Sequence, residues 1–359
     1  MTSLVSPQGA TWRDPESTLP PGRCDSGRGA DLRHERSGLS LVDLREAFRL
    51  LVSRRRGRPD RRKRPVAPVE PGDWPKNVDT GAAASTQPPE RIEGTFDNGA
   101  SLGEIRFLAR AFHATGREAY RDAASKGIDH VLAAQYPVGG WPQRFPPGKG
   151  YARHVTFNDN TMVNLMTLMR DVAHASDFDF VGAAHRENAR RAFDTAVACI
   201  VRAQIRVGDR LTVWCAQHDE NTLEPRGART YELPSLSGAE SAGILLLLMS
   251  LENPSPEVVR AIEAGVAWFK SARIDGIREV RIAGNKVIER DPSAPPLWAR
   301  FYEIDTGRPF FCGRDGVKKY DLSEIEAERR NGYGWYGTWG ERVATRHAEW
   351  KTARAATRP

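Results

Sequence analysis

Apolar residues recur with helical spacing along most of the chain after residue 71. Leu102, Ile105 and Leu108 lie three positions apart, and Tyr120, Ala124, Ile128 and Leu132 lie four apart. Such spacing places side chains on one face of a helix. The same pattern predicts further helices over residues 160–173, 184–204, 238–251 and 255–272. Strand-like alternation is confined to short pieces near 211–214 and 278–288, so the chain is predicted to be mainly α-helical.

An internal repeat organises these helices. Gly72-Asp-Trp-Pro75 is followed by Thr95-Phe-Asp-Asn-Gly99, and Gly139-Gly-Trp-Pro142 is followed by Thr156-Phe-Asn-Asp-Asn160, with a looser third copy at Leu236-Ser-Gly-Ala-Glu240. Each copy leads into a more buried helix that is followed by a more amphipathic one. Concentric inner and outer helices need this alternation. We therefore predict an all-α fold, an α/α toroid of helical hairpins with long loops and a few short strands, and a site at the end of the helices where the repeated polar loops lie.

The net charge of +7 is concentrated near the N-terminus. Residues 1–70 contain 15 basic and 9 acidic residues, whereas the remainder contains 38 and 37. We predict three regions: a poorly ordered Arg/Pro-rich arm over 1–70, with one short amphipathic helix at 41–51, a catalytic domain over 71–345 and a C-terminal tail over 346–359. The basic run 53–64 is typical of a solvated charged segment, with a nucleic-acid or nuclear-import patch as the alternative.

Several classes of protein are excluded by sequence pattern. The longest apolar run, 243–249, is too short to span a bilayer, so we expect no membrane association. The four cysteines lie far apart and form no zinc-binding pair. Phosphate-binding, dinucleotide-binding and zinc-protease motifs are absent. The first residues also lack the basic and apolar stretches of a secretory signal.

Two carboxylates stand directly before helices, Asp97 in the first repeat and Asp159 in the second. An isolated Asp in this position usually caps the helix, because its side chain accepts hydrogen bonds from free backbone N–H groups. Each of these has Asn neighbours, however: Asn98 follows Asp97, and Asn158 and Asn160 flank Asp159. Clustered carboxylate and amide oxygens are suitable ligands for a hard cation such as Ca²⁺.

Four arginines lie in predicted loops among aromatic residues, Gly and Pro: Arg226, Arg229, Arg300 and Arg314. Surface arginines often have no specific role, but the guanidinium fork matches a carboxylate. Acidic residues for a metal together with arginines for an anion predict a polyanionic substrate. A weaker alternative is a cysteine nucleophile in Trp214-Cys-Ala-Gln-His-Asp219, although one short stretch does not establish a catalytic triad.

Five ordered motifs over residues 71–340 resemble polysaccharide lyase family 10, the pectate lyases. They are Gly139-Gly-Trp-Pro-Gln143, His154-Val-Thr-Phe-Asn-Asp-Asn160, Trp214-Cys-Ala-Gln-His-Asp219, Ala228-Arg-Thr-Tyr-Glu-Leu-Pro-Ser-Leu-Ser-Gly238 and Phe311-Cys-Gly-Arg-Asp-Gly316. The family fold is an α/α toroid, in agreement with the repeat. One departure is at the N-terminus, where the Arg/Pro-rich arm replaces a helix that helps to close the toroid in the family.

The resemblance implies a secreted, monomeric, calcium-dependent pectate lyase that cleaves polygalacturonate by β-elimination. It assigns Arg314 as the base that removes the C5 proton, and Arg300, Arg229 and Asn98 as substrate contacts. Asp97 and Asp159 match active-site aspartates that bind Ca²⁺, and the resemblance also assigns Asp97 a catalytic role. Lys76 and Lys126 are further candidates for substrate contacts, with an ordinary surface position as the alternative.

Two rival functions remain open at this stage. An inverting glycoside hydrolase could use Asp97 and Asp159 as acid and base, which requires carboxyl groups about 6.5–9.5 Å apart and no calcium. The arginines argue against it, because neutral sugars do not need so many cations. The second rival is a catalytically inactive pectin-binding protein. No nucleic-acid partner is expected for the catalytic domain.

Overall fold

Eight α-helices are the main elements of the part of the chain that the structure, a computed structural model, describes: residues 72–76 and 93–356. The helices are α1 (Ala100–Thr115), α2 (Glu118–Ala133), α3 (Thr161–His174), α4 (Ala183–Ala203), α5 (Gly238–Leu248), α6 (Pro256–Ser271), α7 (Ala327–Gly332) and α8 (Trp339–Ala356). All six helices predicted after residue 71 are present within a few residues of their expected bounds. The predicted helix at 41–51 and the basic arm lie outside the described residues.

The first six helices form three consecutive antiparallel hairpins, α1–α2, α3–α4 and α5–α6. Successive first helices contact one another, and so do successive second helices, which gives an inner and an outer layer. Inner helix α5 has apolar side chains on all faces, whereas α4 has one buried face lined mainly by alanines. This arrangement is the predicted α/α toroid of helical hairpins, and the mainly α-helical fold class is confirmed.

Buried tryptophans tie each hairpin to the loop that follows it. In each case the indole Nε1–H donates, over 2.8 Å, to a carbonyl in the last turn of an outer helix: Trp141 to Val131, Trp214 to Ile200 and Trp298 to Phe269. A buried indole N–H needs such a partner to offset its loss of water. These contacts recur once per hairpin and fix the start of each long loop against the helical layers.

The strands are short and join the loops in antiparallel pairs. They are β1 (Val155–Thr156), β2 (Arg206–Val207), β3 (Arg210–Leu211), β4 (Gln217–His218), β5 (Pro225–Arg226), β6 (Leu236–Ser237), β7 (Ile277–Ile282), β8 (Asn285–Arg290), β9 (Trp298–Ala299), β10 (Phe301–Tyr302), β11 (Phe311–Cys312), β12 (Lys318–Lys319) and β13 (Tyr336–Gly337). The longest pair, β7–β8, lies where alternation predicted it. Near 211–214 only the first residue is in a strand.

Helix α8 corrects the predicted C-terminal tail. It packs against α5 and α6 and continues without a break to Ala356, with Trp350 buried. The predicted boundary after residue 345 falls inside this helix, so residues 346–356 belong to the folded domain. Apolar spacing is weak here, because the buried residues of this helix are only Gly340, Val343, His347 and Trp350. None of the described helices is both long and apolar enough to cross a lipid bilayer.

Candidate active site

Two three-residue 3₁₀ turns, Asp97–Gly99 and Asn158–Asn160, carry the repeated polar motifs and lead into α1 and α3. Their central residues have positive φ, 52° at Asn98 and 50° at Asp159. Asn, Asp and Gly tolerate this left-handed conformation best. By backbone conformation Asn98 therefore corresponds to Asp159, and Asp97 corresponds to Asn158. The two carboxylates stand at different positions of the repeat, with Asp97 buried and Asp159 partly exposed.

Helix capping does not explain these aspartates. The N-cap positions of α1 and α3 are Gly99 and Asn160, and neither helix has a side-chain cap. The buried Asp97 carboxylate instead forms an ion pair with Lys76, which places Lys76 at the site. This ion pair does not decide between a substrate contact and an ordinary surface position for that lysine. The second oxygen of Asp97, Oδ1, is buried and has no hydrogen-bond partner among the described residues.

Arg300 lies at the centre of the carboxylates. Its Nη2 donates to Glu240 at 2.6 Å and to Asp159 and Asn158, each at 3.2 Å. Burial alone would lower the pKa of Arg300. The electrostatic effects of Glu240, Tyr333 and Asp159 outweigh that of burial, so the pKa of Arg300 is raised. The β10–β6 pairing holds Arg300 beside the start of α5, where Glu240 lies. A cavity of about 540 Å³ opens beside these side chains between α3, α5 and α8.

Arg229 and Arg314 lie against the same aromatic ring. Their guanidinium carbons are 4.8 and 5.5 Å from the centre of the Tyr231 ring. Arg229 pairs with the buried Glu232, and this hydrogen bond raises the Arg229 pKa. The more exposed Arg314 pairs with Glu328 at 3.0 Å, which likewise raises its pKa.

A second ring connects this pair to Arg300. Tyr333 meets Tyr231 edge to face with ring centres 6.3 Å apart, and Arg300 lies 4.7 Å from the Tyr333 ring centre. The Tyr333 hydroxyl donates to Glu232 at 2.9 Å. The structure thus brings together three of the four predicted arginines. Arg226 is paired instead with Asp219 in the β4–β5 hairpin.

Sequence reasoning missed Glu240 and Tyr333 as members of the site. Glu240 stands in the loose third copy of the repeat, and a glutamate at that repeat position was the signal available in the sequence; the structure shows that it is buried. Tyr333 lies beyond the recognised motifs and gave no signal of its own.

The cysteine-nucleophile alternative is not supported by the structure. The Cys215 thiol is buried, which raises its pKa, and burial lowers the pKa of His218 to about 4. His218 Nε2 accepts a hydrogen bond from the Cys215 backbone N–H at 3.0 Å, so it does not face the thiol as a base. This motif is a structural element that supports the loop.

A further group of possible metal ligands consists of His154, Asp219 and Glu220, whose ligand atoms lie within 4.8 Å of one another. Its members already have partners. Asp219 accepts from two backbone N–H groups and from Arg226, and Glu220 pairs with His154 and Arg153. Asp97 differs, because it retains a buried oxygen without a hydrogen bond.

The comparisons with known proteins agree on one family. The family model described as pectic acid lyase matches residues 69–344. The structure is similar to that of a family 10 polysaccharide lyase from Cellvibrio cellulosa, with 35% sequence identity and a TM-score of 0.73, over 80% of this chain and 90% of that one. An aspartate-to-alanine mutant of the family 10 enzyme from the same organism, in complex with trigalacturonic acid, has the same identity and TM-score and covers 79% of this chain. A search of curated proteins found no match.

Proposed function

The chain belongs to the pectic acid lyase family, polysaccharide lyase family 10, and is a pectate lyase; we propose that it cleaves polygalacturonate by calcium-dependent β-elimination. The observation that carries this proposal is the convergence of Arg229, Arg300 and Arg314 on the two tyrosine rings beside the Asp97 and Asp159 turns. The trigalacturonic acid bound to the mutant lyase from Cellvibrio cellulosa supports the same substrate class.

The residues present fit a hard cation. Asp97 offers a buried oxygen without a hydrogen bond, and Asp159 offers a partly exposed carboxylate on the neighbouring turn. Asp97 and Asp159 would hold Ca²⁺, which prefers carboxylate and carbonyl oxygens. When bound, Ca²⁺ would neutralise the substrate carboxylate and acidify the neighbouring C–H bond. Lys76 is paired with Asp97 and Arg300 with Asp159, so both side chains would compete with the ion for these carboxylates.

Substrate binding falls to the remaining side chains. Arg300 and Arg229 bind carboxylates of the polyuronate, and Asn98, held by its left-handed turn beside Asp97, donates to the sugar. The C6 carboxylate acidifies the C5 proton, because the negative charge left by its removal spreads onto that carboxylate. Guanidinium groups fixed before the reaction stabilise this developing charge without reorganisation.

The chemistry is an elimination without added water. Arg314 accepts the C5 proton, the C5–H electron pair becomes the C4–C5 double bond, and the C4–O bond breaks. The departing oxygen remains on the preceding sugar and takes a proton from solvent to become a hydroxyl, and Arg314 returns its proton to solvent, so that protons balance over one turnover. Since Glu328 stabilises the charged Arg314, the reaction requires release from Glu328 and alkaline solution. Asp97 assists by holding the cation site beside the reacting carboxylate.

The proposal is tested with polygalacturonate by following the ultraviolet absorbance of the unsaturated uronide. Absorbance should rise with added calcium and stop rising with a chelator; no rise with calcium would refute the lyase. An increase in reducing ends without absorbance would indicate the inverting hydrolase, and binding without either product would indicate the inactive pectin-binding protein. We also propose, from family membership, a secreted and monomeric enzyme.

The base assignment needs a matched comparison, because Arg229 and Arg314 contact the same ring. Alanine variants of Arg314, Arg229 and Arg300 are assayed for kcat and for binding of trigalacturonate. We expect Arg314→Ala to lose kcat while it retains binding, and the other two variants to lose binding. If Arg314→Ala retains its kcat, it is not the base; loss of kcat with retained binding in Arg229→Ala would assign the role to Arg229.

A further inference from the structure

Arg329 lies within the aromatic cluster that carries the arginines of the site, on the short helix α7. Only 5% of its surface is exposed. Its Nε and Nη2 atoms are buried without a hydrogen-bond partner, and it forms no ion pair with any described carboxylate. Among the described residues it is therefore a buried cation without a hydrogen-bonded carboxylate, although its charge lowers the pKa of the neighbouring Glu328.

The guanidinium of Arg329 lies against both tyrosines of the site. Its central carbon is 3.7 Å from the ring centre of Tyr231 and 4.5 Å from that of Tyr333. The same two rings also contact Arg229, Arg314 and Arg300. Attraction between a cation and a ring face stabilises such contacts. Four guanidinium groups thus share two rings, and Arg329 is the most deeply buried of them.

Fold stability alone does not account for this arrangement. Burying a charge without a partner is costly, and an apolar residue of similar volume is often neutral or stabilising in such a place. Arg229, Arg300 and Arg314 each have a carboxylate partner. Arg329 adds a positive charge that is not held in an ion pair with a described carboxylate, in a region of low dielectric constant where charges act over longer distances.

We propose that Arg329 is a positioning residue of the lyase reaction: its buried charge holds Tyr231 and Tyr333 in place and makes the arginine site more positive for a polyanionic substrate. The inference rests on the proposed function. Arg329 does not touch the substrate; it acts through the two rings and through its charge. Besides the two tyrosines, the ionisable groups that act on the cluster are Arg229, Glu232, Glu240, Arg300, Cys312, Arg314, Glu326 and Glu328.

The charge is separated from the side-chain volume by comparing Arg329→Met with Arg329→Lys. We expect Arg329→Met to lower kcat/KM on polygalacturonate by about tenfold, and to move the alkaline rise of its pH profile to higher pH. The removal of a nearby positive charge makes the base arginine harder to deprotonate, which sets the direction of this shift. Arg329→Lys keeps a cation between the rings and should restore most of the activity and the wild-type profile.

The matched control is Arg186, a half-buried arginine on α4 that donates only to the carbonyls of Ala173 and Phe178. Arg186→Met should lower the melting temperature without changing KM or the pH profile. Arg329→Met with wild-type KM and pH profile would overturn the proposal, as would an Arg329→Lys variant no more active than Arg329→Met. If Arg329→Met does not fold, Arg329→Gln takes its place in the comparison with Arg329→Lys.

Failure of the proposed function is recognised separately. If the wild-type protein produces no absorbance rise with polygalacturonate and calcium, the lyase reaction is wrong and the variants are compared by trigalacturonate binding in calorimetry. The proposal for Arg329 then requires weaker binding in Arg329→Met than in Arg329→Lys. Equal affinities in the two variants would refute it.

Discussion

Replacing Glu240 with Gln removes the buried negative charge that faces Arg300 while it keeps the shape of the side chain. Glu240 is 2% exposed and Arg300 is 12% exposed, so water screens their interaction little. The Glu240 carboxylate also accepts a hydrogen bond from Ser237 at the start of α5. Gln can retain one of these hydrogen bonds, but it cannot retain the charge.

The expected loss follows from the remaining partners of Arg300. A hydrogen bond to a charged group is worth about 1.5–3 kcal/mol, and removal of one member of a buried ion pair costs about 3–5 kcal/mol. Asp159 remains as a second acceptor at 3.2 Å, which favours the lower range. We therefore expect Glu240→Gln to lower the free energy of unfolding by about 2 kcal/mol, and the melting temperature by about 6 °C.

Urea unfolding followed by tryptophan fluorescence measures this loss. The matched control is Glu187→Gln, which breaks an exposed pair with Arg190 on α4 and should leave the unfolding free energy nearly unchanged, because water screens that pair. In the lyase assay the KM of Glu240→Gln should rise, because Arg300 loses its anchor. A Glu240→Gln protein as stable as the Glu187→Gln protein would show that Arg300 does not depend on this pair.

Two further predictions concern the backbone and the buried ionisable groups. Burial raises the pKa of Asp73 from 3.8 to about 6, so the stability that its proton contributes is present below pH 3.8 and is lost as pH rises through 6. In urea titrations the stability of Asp73→Asn relative to wild type should therefore increase by up to about 3 kcal/mol between pH 4 and pH 7. An equal stability difference at both pH values would contradict this. Gly139 has φ +95° and a Cβ there would lie 2.3 Å from the Thr195 carbonyl oxygen, whereas Gly103 in α1 faces open space. Gly139→Ala should lose about 3 kcal/mol or more and Gly103→Ala should lose nothing, as measured by thermal unfolding; similar melting temperatures for the two would refute the clash.

Much of the fold could be predicted from sequence because its signals are local. The three-residue spacing of Leu102, Ile105 and Leu108 marks the buried face of α1, and helical spacing of the same kind located five more helices. The repeated Trp-Pro and Asn/Asp motifs indicated that the hairpins are equivalent. Helix α8 was not predicted, since a few inward residues do not make a periodic pattern.

The site could be predicted only where its residues lie in recognisable motifs. Asp159, Arg229 and Arg314 each stand in such a motif, and Arg300 stands in a predicted loop rich in aromatic residues, although no spacing rule gives the tyrosine rings that connect the arginines. Glu240 meets Arg300 sixty positions away through the β10–β6 pairing, and Arg329 comes from a six-residue helix with no sequence signature. Contacts of this kind depend on the assembled loops, which local patterns do not describe.

At the left-handed turns before α1 and α3, the charge of a side chain can change while the backbone conformation stays the same. Asn98 and Asp159 adopt nearly the same backbone angles, as do Gly99 and Asn160. A position of this kind accepts an amide or a carboxylate at similar cost to the backbone. During evolution, one substitution at either turn could therefore change the number of negative charges offered to a cation while the hairpin beneath it kept its shape.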